Sequence, residues 1–157
     1  MKQRLVVPMT NEKERQTYYG VVNIETGEAL VQSYKKGNGE HTVSFLQYLQ
    51  QKHPGKKIVL LWDGATYHKY GLTRDYLREL NEGIDEEDWP ITCILLAPHA
   101  PEQNPIEDIW LQGKQWVREK YNECNTFKDV KRLFVETIEG RIFSFPKLDS
   151  YRRSYSF

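Results

Sequence analysis

Cysteine is scarce: Cys93 and Cys124 are the only two in 157 residues. That is too few for a disulfide framework or a paired-cysteine metal knuckle. A reducing, cytoplasmic setting is the expectation. Long apolar runs are lacking too, and none reaches the roughly 18 residues that a membrane span needs. The opening stretch MKQRLVVPMTNEKERQ has no extended apolar segment after its charges, unlike a secretory signal. Net charge is absent, with 22 basic and 22 acidic residues and a pI near 6.9. That balance argues against a histone-like binder or a basic arm. No GxSxG, P-loop or dinucleotide fingerprint occurs, and neither cysteine has the setting of a nucleophile.

What is present suits one globular domain. Apolar residues make up 39% of the chain, enough for one real core. The charges are unevenly spread. Met1 to Trp110 carries 12 basic and 16 acidic residues, whereas Leu111 to Phe157 carries 10 basic and 6 acidic. The excess reads either as ordinary surface charge or as a phosphate-facing flank built from Lys114, Arg118, Lys120, Lys128, Lys131, Arg132, Arg152 and Arg153.

Periodicity and turn residues divide the chain. Tyr18–Ile24 is aromatic and β-branched and reads as a strand, turned at Thr26-Gly27 into a return strand Ala29–Tyr34. Lys35–Glu40 is loop. His41–Gln51 places Phe45, Leu46 and Leu49 on one helical face. Lys57–Trp62 and Ile91–Leu96 are continuous apolar runs, the pattern of parallel strands buried on both faces. A short helix is expected over Gly71–Asn81 and an acidic loop over Glu82–Asp88. Asn104 caps a helix whose first residue is Pro105, with Ile106, Ile109, Trp110, Trp116 and Val117 inward. Thr126 and Asp129 form a capping pair for a last helix ending near Ile138. Residues 1–140 read as the core. Residues 141–157 read as either a poorly ordered tail or an arm that docks. The order predicts an α/β domain in which an antiparallel hairpin and two parallel strands share one mixed sheet.

Two acids stand at positions where ligands gather. Asp63 closes the KIVLLW run, at the carboxyl end of a buried parallel strand, although Asp63-Gly64 is also an ordinary turn. Glu107 lies in the first turn of the Pro105 helix, where it suits the dipole and approximates a capping box with Asn104. Asp108 should face elsewhere. A strand end and a helix start can converge on one sheet edge, and two carboxylates there suit a hard cation such as Mg²⁺. Two such ions activate a water and stabilise a leaving oxygen in phosphodiester cleavage, usually with a third carboxylate. Cys93 sits in an apolar strand and reads as core. His41, His53 and His99 are isolated, with His99 on the loop beside the site.

These residues resemble a known family. Leu60-Leu61-Trp62-Asp63-Gly64-Ala65-Thr66-Tyr67-His68 is similar to the D-N-A-x-x-H block of the mariner superfamily of DDE transposases, in its bacterial insertion-sequence branch. Leu96-Ala97-Pro98-His99-Ala100-Pro101-Glu102-Gln103-Asn104-Pro105-Ile106-Glu107, followed by Trp110, is similar to its L-P-P-Y-S-P-x-L-N-P-I-E-x-x-W block. The resemblance spans Tyr18 to Tyr121. It implies an RNase H-like fold, three acids holding two Mg²⁺ or Mn²⁺ ions, DNA as partner, and strand cleavage followed by strand transfer. Asp63 would be the second acid and Glu107 the third, both metal ligands. His68 matches the histidine after the second acid and would orient a water or phosphate, or simply pack.

The departures are specific. The family's first acid lies on a central strand upstream of the hairpin, and the first acids here, Glu12 and Glu14, have no strand signal around them. Gln3–Pro8 (QRLVVP) resembles the segment after that strand. The amino-terminal DNA-binding module has no counterpart, and Gly64 replaces the usual Asn. The expectation is a catalytic-domain fragment lacking the first strand, and so catalytically incomplete. The other reading is a non-catalytic remnant that binds DNA or dimerises. In a sheet ordered 3-2-1-4-5, the missing strand 1 leaves a gap between Tyr18–Ile24 and Lys57–Trp62, where unpaired backbone would be costly. Three fillings are expected: Arg4–Val7 slides in, another copy donates a strand to make a homodimer, or the two strands close on each other.

Overall fold

The computed structural model describes residues 15–63, 71–98 and 101–154. Strand β1 (Thr17–Val22) pairs antiparallel with β2 (Ala29–Tyr34), from Thr17 opposite Tyr34 to Val22 opposite Ala29. Helix α1 (Gly39–Lys52) follows, capped by the Asn38 side chain, which accepts from the His41 amide. Gly39 and Glu40 are therefore helical rather than loop, because the cap lies one residue before them. Strand β3 (Ile58–Trp62), helix α2 (Leu72–Asn81) and strand β4 (Ile91–Leu95) form a crossover unit whose strands run parallel. The acidic stretch between them tightens into a 3₁₀ turn over Glu86–Asp88. Three further helices complete the described chain: α3 (Pro105–Glu119), α4 (Phe127–Ile138) and α5 (Pro146–Ser154).

The architecture is α/β, an RNase H-like arrangement without a strand between its two halves. One expectation is corrected. Among the described residues the four strands form two separate two-stranded sheets, β1-β2 and β3-β4, rather than one mixed sheet. The two halves therefore do not close on each other, so that filling of the gap fails. Arg4–Val7 lies outside the described residues.

Packing explains why the halves stand where they do. Residues alternate across β1. Tyr19 faces α1 with Leu30, Phe45 and Leu49, and Ile58 and Leu60 of β3 pack on the same cluster. Tyr18 and Val22 face the other side, against Ile106, Ile109, Phe134 and Ile138 of α3 and α4. Leu46, Trp62 and Ile91 make a third cluster under α2, with Cys93 packed against it. Burial pushes the Cys93 thiol up to about 12, as expected of a core residue rather than a nucleophile. Trp110 stacks on Phe134 with ring centroids 5.8 Å apart, and the Arg141 guanidinium lies 3.9 Å over Trp116. Both tryptophans are half-buried and pack against this core.

Two glycines let the layers approach. A Cβ on Gly20 would meet the Trp110 ring at 2.3 Å, and one on Gly113 would meet Ile138 at 2.7 Å. The reciprocal box at the start of α4 is present: Thr126 accepts from Asp129, whose carboxylate accepts from Thr126 and Asn125. The backbone N–H of Asn125, then the hydroxyl and N–H of Thr126, hold the Asp129 carboxyl below the ordinary range.

Residues 139–143 run along the outer edge of β2. Gly140 donates to Ala29, Ala29 donates to Arg141, and Phe143 donates to Gly27, at 2.8–2.9 Å. Glu28 and Ile142 form an antiparallel bridge. This pseudo-strand covers an edge that would otherwise be open to another chain. Phe143 is buried in the core beyond it, and Leu148 of α5 is fully buried.

Candidate active site

Local sequence sets the position of each acid. Strand β3 is not buried on both faces as expected: Trp62 is buried but Val59 is 52% exposed, and the strand ends at Asp63, which is exposed. Pro105 starts α3 where its missing N–H is harmless, and the Asn104 side chain accepts from the Ile106 amide at 3.2 Å. Glu107 then falls in the first turn and is exposed, while Ile106 and Ile109 turn inward. No reciprocal bond from Glu107 back to Asn104 is present among the described residues, so Asn104 caps alone. Asp108 points away and pairs with Lys147 of α5 at 2.7 Å.

Asp63 and Glu107 line one cavity of about 700 Å³. Its long walls are residues 17–26 and 56–63, the faces of β1 and β3 that look at each other. Phe45, Leu46 and Leu49 of α1 line one side, and Ile106 and Trp110 of α3 line another. Tyr151 of α5 also reaches the cavity, and its hydroxyl donates to the Gln103 carbonyl at 2.7 Å. Sequence reading missed Tyr151 because nothing in the pattern of the last residues ties them to the Pro105 helix.

His68 and His99 lie outside the described residues. His41 bonds the Lys36 carbonyl and stacks on Tyr34, and His53 bonds the Leu49 carbonyl, so both serve local structure. Among the described residues, no group of three or more His, Cys, Asp or Glu side chains is placed to hold a metal ion. The two cavity-lining carboxylates offer the hard oxygen donors that Mg²⁺ and Mn²⁺ prefer, but only part of a full donor set.

Of the basic flank, Lys114, Arg118, Lys120 and Lys128 are exposed. Arg132 is shared between Asp129 and Glu136. Arg152 pairs with Asp149 and donates to the Ile24 carbonyl. No described helix is long and apolar enough to cross a membrane.

The α/β layers thus carry one acid at a strand end and one at a helix start. A family profile described as DDE superfamily endonuclease matches residues 2–133, and the chain belongs to that family. No individual curated protein is significantly similar to it. The family implies a DNA substrate and typically works with a divalent metal.

Proposed function

We propose that this chain is the catalytic-core portion of a DDE transposase of the mariner superfamily, in its bacterial insertion-sequence branch. Asp63 and Glu107 are the two carboxylates around which DNA strands are cut and the freed 3′-hydroxyl is joined to a target. The observation that carries this reading is that two acids on separate elements line one cavity, open to solvent at both side chains. A bound Mg²⁺ or Mn²⁺ would supply Lewis acidity to the phosphate and to an attacking water. The chain's own part is positional. β3 and the Asn104-capped start of α3 fix the two carboxylates, and Trp110, wedged over Gly20, holds the helix to the hairpin. His68, five residues after Asp63 in sequence, orients a water or phosphate.

Two carboxylates fall short of the three this chemistry usually employs, so the isolated chain is expected to be catalytically incomplete. Mn²⁺ titration followed by NMR should broaden signals around Asp63 and Glu107 selectively, and Asp63→Asn should abolish that broadening. Broadening spread evenly over other acids would refute the site. Plasmid nicking in Mg²⁺ or Mn²⁺ should stay at background. Robust nicking that disappears in Asp63→Ala would instead establish a complete active site.

A second role is favoured by the exposed cations of α3 and α4: contact with DNA phosphates without chemistry. Binding should weaken with salt, and replacing Lys114 and Lys120 with Ala together should lower the log–log salt slope by about 2. A slope unchanged by both substitutions would leave these lysines as a solvated face.

A further inference from the structure

We propose that the space between β1 and β3 is a strand-docking slot, and that its occupant is this chain's own segment 3–8 (QRLVVP), laid antiparallel to β1. The argument starts from where backbone groups point. Ala29 and Val31 send their N–H groups outward, to Arg141 and to the Glu139 carboxylate. Leu30, Gln32 and Tyr34 therefore face β1, opposite Val21, Tyr19 and Thr17. The alternate residues Tyr18, Gly20 and Val22 must aim their N–H and C=O groups away from β2, toward the cavity.

The parallel pair gives the matching result. Ile58 donates to the Pro90 carbonyl, and the Trp62 carbonyl accepts from Leu96, so Ile58, Leu60 and Trp62 face β4. Val59 and Leu61 then aim their backbone groups at the same cavity from the opposite side. Among the described residues no strand pairs with either of these edges. The remaining walls are largely apolar, from α1 and α3. Backbone amides looking into such walls require partners. One extended peptide, with strands about 4.8 Å to either side, satisfies both edges together.

The occupant follows from tether and composition. The chain enters β1 at Thr17, which itself lines the slot. Leu5-Val6-Val7 is the longest apolar run in residues 1–16, and a continuous apolar run suits a strand covered on both faces. Pro8 ends it without leaving an N–H unpaired. The polar stretch from Met9 to Gln16 supplies a loop, and the short tether sets an effective concentration in the millimolar range, roughly, which a second copy at micromolar concentration does not match.

Hydrogen exchange on the full chain tests this without metal or DNA, so the outcome is independent of the carboxylate reading. Amides of Val6, Gly20, Val22, Val59 and Leu61 should exchange at least about 100-fold more slowly than unstructured amides, equally at low and high protein concentration, with monomer mass. Val6→Pro should remove that protection from Val59 and Leu61 while α3 and α4 amides stay protected. Val6→Ile should retain it, and a peptide of residues 2–9 added to Val6→Pro should restore it. If Val6→Pro does not fold, the unsubstituted chain alone decides. Coil-like exchange of Leu5, Val6 and Val7 in a monomer would overturn the proposal. So would protection that arises only with dimer mass, which would assign the strand to a second copy.

Discussion

Phe143→Ala should lose about 3–5 kcal/mol of folding stability, and Leu148→Ala about 2–5 kcal/mol. Phe143 is 4% exposed and Leu148 fully buried, so each substitution leaves a cavity rather than a solvated gap. The Phe143 ring lies with Ile109, Val117 and Ile138 in the cluster that joins β2 to α3 and α4, and it faces Trp116 at 6.1 Å. Its backbone N–H is held by Gly27, whose φ of 78° places the carbonyl for that bond. Gly27 cannot be replaced cheaply either, since a Cβ there would meet the Phe143 carbonyl at 2.2 Å. Typical domains are stable by about 5–15 kcal/mol, so Phe143→Ala removes a large share. Urea denaturation midpoints measure it. A change under about 0.5 kcal/mol, the usual surface value, would show that the segment decorates the domain rather than completing it.

The strands and helices with strong periodicity were legible in the sequence, because burial on one face or both imposes the pattern directly. Ala29–Tyr34 was read at its true ends, and the Asn104 and Thr126 caps were readable from side chains that satisfy amides within the next turn. Sheet membership was not legible. Whether β1 and β3 share a sheet depends on what lies between them, and no local pattern in either strand encodes that. The pseudo-strand at 139–143 was missed for a related reason. Glu139, Gly140 and Arg141 carry no strand signal, and they cover β2 through backbone bonds that any sequence makes. At the candidate site, Asp63 and Glu107 stand out in the sequence because each is a charged residue directly beside an apolar or capped element, although β3 is only partly buried. Tyr151 is brought there by the docking of α5, through the Lys147–Asp108 pair and the Arg152 bond to Ile24, which is tertiary information.

Glu139→Ala should cost about 1–3 kcal/mol through the Val31 N–H, which it leaves buried without its acceptor, whereas the half-buried Tyr48 hydroxyl can turn to water. One carboxylate oxygen accepts from the Val31 N–H and the other from the Tyr48 hydroxyl. It thereby ties the outer edge of β2 to α1 from a position 91 residues beyond Tyr48. Burial first, then the hydrogen bond and charge of Glu139, push the Tyr48 hydroxyl up to about 12 from its ordinary 10.0. The folded state thus prefers the protonated phenol. Its stabilising contribution is fully present below pH 10 and is lost as pH rises through about 12. Urea midpoints should therefore fall on alkaline titration above pH 10, and Tyr48→Phe should flatten that part of the fall. With ten tyrosines in the chain, the absorbance titration of Tyr48 is read as the difference between the unsubstituted protein and Tyr48→Phe. Glu139→Ala removes two of the causes that raise the Tyr48 hydroxyl, so its titration should move down while burial keeps it above the free value. An unchanged Tyr48 titration in Glu139→Ala would mean that the carboxylate does not govern this contact, and the link between β2 and α1 would have to rest on Leu30, Phe45 and Leu49 and on the Tyr34–His41 stack.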